Sequence, residues 1–190
     1  MVLMTEYKAT DLLIAPPAIP DPRFRRCVMM LTHDHEGGSF ALCLNKPSRY
    51  VCQDILKDLD NLSDLDIQIP LYWGGPVSPG TIWMLHSAEW QLEDRTVEID
   101  ESWSMTSSES MFAHLADGDY PRQFRLMFGF CSWSPGQLQA ELRGSPPWHP
   151  KHSWLLAANP GAEWIFEQPV EDLWENATTL CSHQAVDSWL

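Results

Sequence analysis

Two apolar runs, RRCVMMLTH over residues 25–33 and SFALCLN over 39–45, are separated only by Asp34-His35-Glu36-Gly37-Gly38. A connection that short, ending in two glycines, predicts an antiparallel hairpin. In the first run both alternate sets of residues are apolar. A strand of that kind has no face to give to water, so it must be covered on both sides and belongs near the centre of a sheet.

The remaining pattern interleaves strands with helices. Apolar segments predict strands at 71–74, 81–86, 96–100, 124–130 and 153–158. Ser48 is placed to cap a helix in which Val51, Cys52, Ile55, Leu56 and Leu59 recur at helical spacing. Thr106-Ser-Ser-Glu109 has the form of a capping box ahead of Met111, Phe112, Leu115 and Ala116, with Gly118 as the stop. Ser134-Pro-Gly-Gln137 has the same form, with Pro135 at the first helical position and Leu138 and Leu142 facing inward. A last helix runs from Val170 through Leu173, Trp174, Ala177 and Cys181. Hairpins mixed with helices, without strict βαβ alternation, predict an α+β fold. There is no internal repeat or long linker, so residues 1–190 are expected to form a single domain.

Charge and cysteine content narrow the function. The chain carries a formal net charge of -14, which opposes polyanions because nucleic-acid affinity rests on Lys and Arg displacing counterions. Arg23, Arg25 and Arg26, and the pair Arg122 and Arg125, are therefore expected to be ordinary solvated or ion-paired arginines. Five cysteines (27, 43, 52, 131 and 181) are an odd number without a C-x-x-C pair, and read as reduced, buried small hydrophobes. No stretch has the length and apolarity of a membrane span, and the N-terminal residues do not have the make-up of a secretory signal; a cytoplasmic protein is the expectation. Of the ten tryptophans, Trp73, Trp83, Trp103, Trp133 and Trp164 are expected to fill the core, with Trp148 and Trp189 partly exposed.

Three segments, taken together, resemble the YqgE/AlgH family of bacterial proteins. They are LLIAPPAIPDPRFRRCVMMLTHDHEGGSFALCLNKP (12–47), YWGGPVSPGTIWMLHS (72–87) and GFCSWSPGQLQAEL (129–142). The resemblance implies a strongly bent, mostly antiparallel, partly barrel-like β-sheet flanked by helices. It implies little about chemistry: the family is largely uncharacterised, and some members are labelled transcriptional regulators without a recognisable DNA-binding motif. Cys131 and Ser132 stand where Ala and Gly are common in the family, Lys46 where Arg is common, and Gln139 where Glu is common.

Each candidate residue has a structural alternative. Cys131 before a helix start could be activated as a thiolate, but no base accompanies it and packing is the expected role. Ser132 and Ser134 lack the G-x-S-x-G context of an activated serine. The backbone at 135–137, with Gln137, could hold a carboxylate or phosphate. His33-Asp34-His35-Glu36 invites a metal reading, yet two histidines do not make a site, and a polar hairpin tip is expected. Gly74-Gly75-Pro76 lacks the context of a phosphate loop, so tight turning or close backbone approach suffices. Asn45 and His86 are expected to bond to backbone groups. A ligand pocket of the family is expected where Asn45, Gly75, His86, Trp133 and Gln137 converge.

No catalytic residue, metal set or cofactor motif is found. The leading expectation is a non-enzymatic cytoplasmic protein that acts through a protein partner or a small anionic ligand, any role in transcription being indirect. The alternative is a small-molecule enzyme with its pocket at the helix start 134–137, using Cys131 or His86. Direct DNA binding is the third reading and rests on the family's label alone.

Overall fold

The central hairpin forms as its sequence requires. In the computed structural model, which describes residues 7–57, 66–148 and 153–187, β2 (Val28–His35) pairs antiparallel with β3 (Gly38–Cys43), and β1 (Leu12–Ile14) flanks β2 on its other edge. Alternate residues go to opposite sides. Leu12, Ile14, Val28, Met30, Leu42 and Leu44 join one buried cluster, while Leu13, Cys27, Met29, Leu31, Ala41 and Cys43 join another. The two-sided burial inferred from the pattern of β2 is therefore met by two separate cores.

The other strands are β4 (Pro47–Val51), β5 (Pro70–Trp73), β6 (Val77–Ser87), β7 (Thr96–Glu98), β8 (Trp103–Thr106), β9 (Phe124–Trp133) and β10 (Leu155–Ala157). The helices are α1 (Cys52–Leu56), α2 (Ser110–Ala116), α3 (Gln137–Arg143), α4 (Ala162–Phe166) and α5 (Leu173–Asp187). Among the described residues the strand order is β10-β1-β2-β3-β9-β6-β8-β7, with β4 and β5 attached beside β9. Every pairing is antiparallel except β5 with β9. The fold is α+β, with a curled, half-barrel sheet.

β9 is the pivot. Along one edge it pairs with β6; along the other, Leu126–Phe128 pair with β5 and Cys131–Trp133 pair with β3. Gly129, at φ 69°, lies between the two partners, and Gly74 and Gly75 leave β5 at the same place. A Cβ on Gly74 would sit 2.4 Å from the Gly129 carbonyl oxygen, and one on Gly75 would sit 2.1 Å from the Phe130 carbonyl carbon. Only residues without a side chain let the backbones meet here, which is the close approach expected of Gly74-Gly75-Pro76.

α5 lies over β10, β1 and β2, burying Leu173 and Ala177, and the Trp174 indole donates to the Ala15 carbonyl at 2.9 Å. The helix begins at Leu173, three residues later than its apolar pattern suggested.

Two predicted caps are strand residues instead. Ser48 lies in β4, and α1 starts after Val51, whose N–H is taken by the Asp54 carboxylate at 3.0 Å. Thr106 lies in β8, opposite Met84, and α2 follows Glu109 without a side-chain cap. In both places a strand partner distant in sequence supplies the hydrogen bonds that the local pattern assigned to a cap. Leu59 and Trp189 lie outside the described residues; Trp148 is half-buried.

Candidate functional site

β9 carries GFCSW as strand all the way to Trp133, and the chain then reverses through Ser134-Pro135-Gly136-Gln137. The Gln137 N–H donates to the Ser134 carbonyl at 2.9 Å, and Gly136 has φ 77° and ψ -9°. These are the signs of a type II turn, with proline second and glycine third. α3 therefore starts at Gln137, with Gly136 as its N-cap and Pro135 in the turn, not in the first helical position. The capping box survives by half: the Gln137 Oε1 accepts the Ser134 N–H at 3.0 Å.

That geometry removes the anion cradle expected at 135–137. Pro135 has no N–H, the Gln137 N–H is spent inside the turn, and α3 is only seven residues long. Trp133 and Gln137 do come together, on a residue the sequence reading passed over. Glu141 Oε2 accepts the indole N–H of Trp133 at 3.0 Å and of Trp154 at 2.8 Å, while Oε1 accepts the Gln137 amide at 2.9 Å. Glu141 thus ties α3 to the end of β9 and to the segment before β10. Its position one helical turn after Gln137 was the only signal available.

The other expected pocket residues are placed elsewhere. Asn45 Oδ1 accepts the Val28 N–H at 2.8 Å and its amide donates to the Arg26 carbonyl at 2.7 Å, so it splices the end of β3 to the start of β2. Gly75 is pressed on the Phe130–Cys131 peptide. His86 pairs with Phe124, at the far end of β9 from Trp133, a separation of about 30 Å along a regular strand.

His86 is buried and its ring is committed on both sides. Nδ1 donates to the Ser87 carbonyl at 2.9 Å, leaving Nε2 to accept from Thr106 Oγ1 at 2.9 Å, which in turn bonds Thr96 Oγ1 at 2.7 Å. Desolvation lowers its pKa, partly offset by the bond to Ser87 and the charge of Glu89. It is a neutral brace across β6, β8 and β7.

The thiols are unsuited to nucleophilic work. Cys27, Cys43, Cys52 and Cys131 are buried and Cys181 is half-buried. Cys131 donates to the Gly74 carbonyl at 3.5 Å, and burial raises its pKa well above the ordinary value. At the hairpin tip, His35 Nδ1 accepts the Gly37 N–H at 2.8 Å and His33 packs edge-on to Phe40. Among the described residues, no group of three or more His, Cys, Asp or Glu is placed to hold a metal.

The arginines divide sharply. Arg23 pairs with Asp21 at 2.6 Å, Arg26 with Glu175 at 2.9 Å, and Arg122 with Glu89 at 3.5 Å. Arg125 is neither solvated nor ion-paired, contrary to the expectation from sequence. It sits in β9 opposite Leu85, is 7% exposed, and Nη1 donates to the Leu44 carbonyl at 2.5 Å. The centre of its guanidinium lies 4.8 Å from the Tyr72 ring and 5.3 Å from the Phe166 ring. Among the described residues no carboxylate lies within ion-pair distance of it. Burial lowers its pKa from the ordinary value, yet a guanidinium stays protonated at any physiological pH.

Arg125 lines a hollow of about 380 Å³ together with Tyr72, Gln123, Phe166 and Glu167. A second hollow, of about 540 Å³, adjoins it and shares Arg122 and Gln123. One carbonyl accepts from Arg125, and no nitrogen of Arg125 is both fully buried and without a partner, so its other N–H groups face the hollow. With Tyr72 and Phe166 against the guanidinium, recognition falls to its N–H edge, which suits a planar or tetrahedral oxyanion. The signal was present in FRLMF (124–128): a charge inside an otherwise apolar strand.

The curled antiparallel sheet pivoting on β9, with helices packed against it, defines a class of α+β protein shared with solved structures. The chain belongs to the AlgH-like family, whose model (DUF179) matches residues 12–185. Curated relatives include a UPF0301 protein of Xanthomonas campestris pv. campestris strain B100, 31% identical over 171 residues, covering 89% of this chain and 86% of the relative. A UPF0301 protein of Methylocella silvestris is 33% identical over 177 residues, covering 88% and 82%. The solution structure of AlgH from Pseudomonas aeruginosa superposes with a TM-score of 0.72 at 27% identity, covering 90% of this chain and 87% of AlgH. Protein DIP2367 of Corynebacterium diphtheriae shares the fold, with a TM-score of 0.68 at 18% identity, covering 90% and 86%.

Proposed function

We propose that this chain is a non-enzymatic binding protein whose ligand is a small molecule bearing an oxyanion, held by Arg125 in the hollow between β9 and α4. The observation that carries the reading is a guanidinium 7% exposed, braced by two aromatic rings and one backbone carbonyl, with no carboxylate counter-charge among the described residues. It keeps the small-anion reading of the sequence and moves it from 134–137 to Arg125. Any role in transcription is indirect: Arg23, Arg26 and Arg122 are occupied by carboxylates, and the net charge of -14 works against a DNA backbone. A cytoplasmic setting suits the five free cysteines.

The test is thermal denaturation with acetate, benzoate and phosphate, on the wild type and on Arg125→Met, which keeps the packing volume but not the charge. A ligand at a hundred times its dissociation constant stabilises by about 2.7 kcal/mol. Stabilisation by at least one of these anions, lost in Arg125→Met, is expected. No stabilisation by any of them, or stabilisation that survives the substitution, overturns the proposal.

A further inference from the structure

Resting on the reading of Arg125 as an anion receptor, the geometry points to a ligand class: an ω-amino carboxylate, its carboxylate on Arg125 and its ammonium at the acidic rim that α4 shares with the neighbouring hollow. The two hollows adjoin at Arg122 and Gln123, which line both. One wall is the chain entering β9. The other is α4, where Phe166 covers Arg125 while Glu163 and Glu167 line the adjoining and the Arg125 hollow respectively. Residues four apart on a helical turn lie on the same side, about 6 Å from one another, so Glu163 and Glu167 stand side by side where the two hollows adjoin.

The charges are distributed unevenly around the two hollows. Arg125 is the cation on the floor. Around the rim stand Glu89, Glu101, Glu163 and Glu167, of which Glu89 is held by Arg122. Glu101, Glu163 and Glu167 are exposed, and no ion pair with any of them is found among the described residues. A purely anionic ligand gains at the floor and is repelled at the rim, in a protein of net charge -14. A ligand with a positive group beyond its carboxylate is attracted at both ends. Gln123, where the hollows join, is two residues from Arg125, about 7 Å along extended chain. A carboxylate and an ammonium at the ends of an extended six-carbon chain are separated by a comparable distance.

The proposal is tested by isothermal titration at low salt with three probes of matched length: hexanoate, 6-aminohexanoate and adipate. 6-Aminohexanoate is expected to bind at least tenfold more tightly than hexanoate, and adipate most weakly. In the double variant Glu163→Gln, Glu167→Gln, two exposed substitutions that leave the core alone, the preference is expected to fall below twofold, with hexanoate affinity raised. Arg125→Met is expected to abolish binding of all three. Should that variant not fold, Arg125→Lys keeps the charge and loses the forked donors, and is expected to weaken every probe.

Arginine-dependent binding of hexanoate as tight as that of 6-aminohexanoate refutes the amino-carboxylate class and leaves the anion pocket standing. A tenfold preference that survives the double variant refutes the assignment of the ammonium to α4. Binding of none of the three refutes both the class and the pocket.

Discussion

The close approach of Gly74-Gly75, just after β5, to the backbone of β9 gives the most direct physical test of the structure, through Gly75→Ala. The added methyl would lie 2.1 Å from the carbonyl carbon of Phe130, 2.2 Å from its oxygen and 2.5 Å from the Cys131 nitrogen. Non-bonded atoms rest at about 3.5 Å, so the two chains must part by about 1 Å or more. Both are backbone, and neither can rotate aside. The neighbouring ladder includes the Gly74 N–H to the Phe128 carbonyl at 2.8 Å and the Cys43 N–H to the Gly74 carbonyl at 2.9 Å. Breaking one or two such buried bonds costs about 1–3 kcal/mol each, and with loosened packing the total is about 3–5 kcal/mol. That is a large part of a typical stability of about 5–15 kcal/mol.

Two other glycines calibrate the result. Gly136 has open space around it but φ 77°, so Gly136→Ala is expected to cost about 1–2 kcal/mol in left-handed strain. Gly80 has nothing within 4 Å and no left-handed backbone, so Gly80→Ala is expected to lie within about 0.5 kcal/mol of the wild type, or to stabilise slightly. Equilibrium urea denaturation followed by tryptophan fluorescence measures all three. If Gly75→Ala costs no more than Gly136→Ala, the close approach is wrong, and the glycines at 74–75 need another explanation.

Glu141→Leu removes the acceptor shared by Trp133, Trp154 and Gln137, and is expected to cost about 2–4 kcal/mol by urea denaturation, with a red-shifted tryptophan emission. Native protein treated with a thiol reagent at pH 8 is expected to react at Cys181 first and at Cys52, whose pKa burial raises to about 12, only on unfolding; mass spectrometry of partly labelled protein reads the order. Burial lowers the pKa of His86 and His33, so each favours the folded state fully above the unfolded histidine value of about 6.5 and loses that contribution as pH falls toward the folded value. Melting temperature is expected to fall between pH 7 and pH 5, and to fall less steeply in His86→Gln, with a limit of about 1.4 kcal/mol per pH unit for one proton.

Much of the fold was legible before any coordinates. The hairpin of β2 and β3 follows from two apolar runs joined by a short glycine-bearing turn, and β6, β9 and the tail helix from their own periodicity. Ser48 and Thr106 were misread because their surroundings satisfy a capping pattern locally, whereas β5 and β6 satisfy the same backbone from far along the chain. α4 was not anticipated at all: five residues of AEWIF are too few to show a period.

The expected pocket fared differently from the expected fold. Trp133 and Gln137 meet, at Glu141, while Asn45 and His86 are spent in separate braces on different parts of the sheet. Short-range patterns report which face a residue occupies and whether its neighbours turn. They do not report which side chains from distant segments share a space.

What the sequence by itself determined is the alternation that buries β2 on both faces, the presence of a helix just after Ser134-Pro-Gly, and the reduced, apolar character of the cysteines. These depend on a residue's own preference and on neighbours within a few positions. What only the tertiary structure decided is that Arg125 is buried against Tyr72 and Phe166 with no carboxylate partner among the described residues, while Arg122, three residues earlier, is exposed and paired. A charge's environment is set by the strands and helix that close over it, and those come from distant parts of the chain on either side.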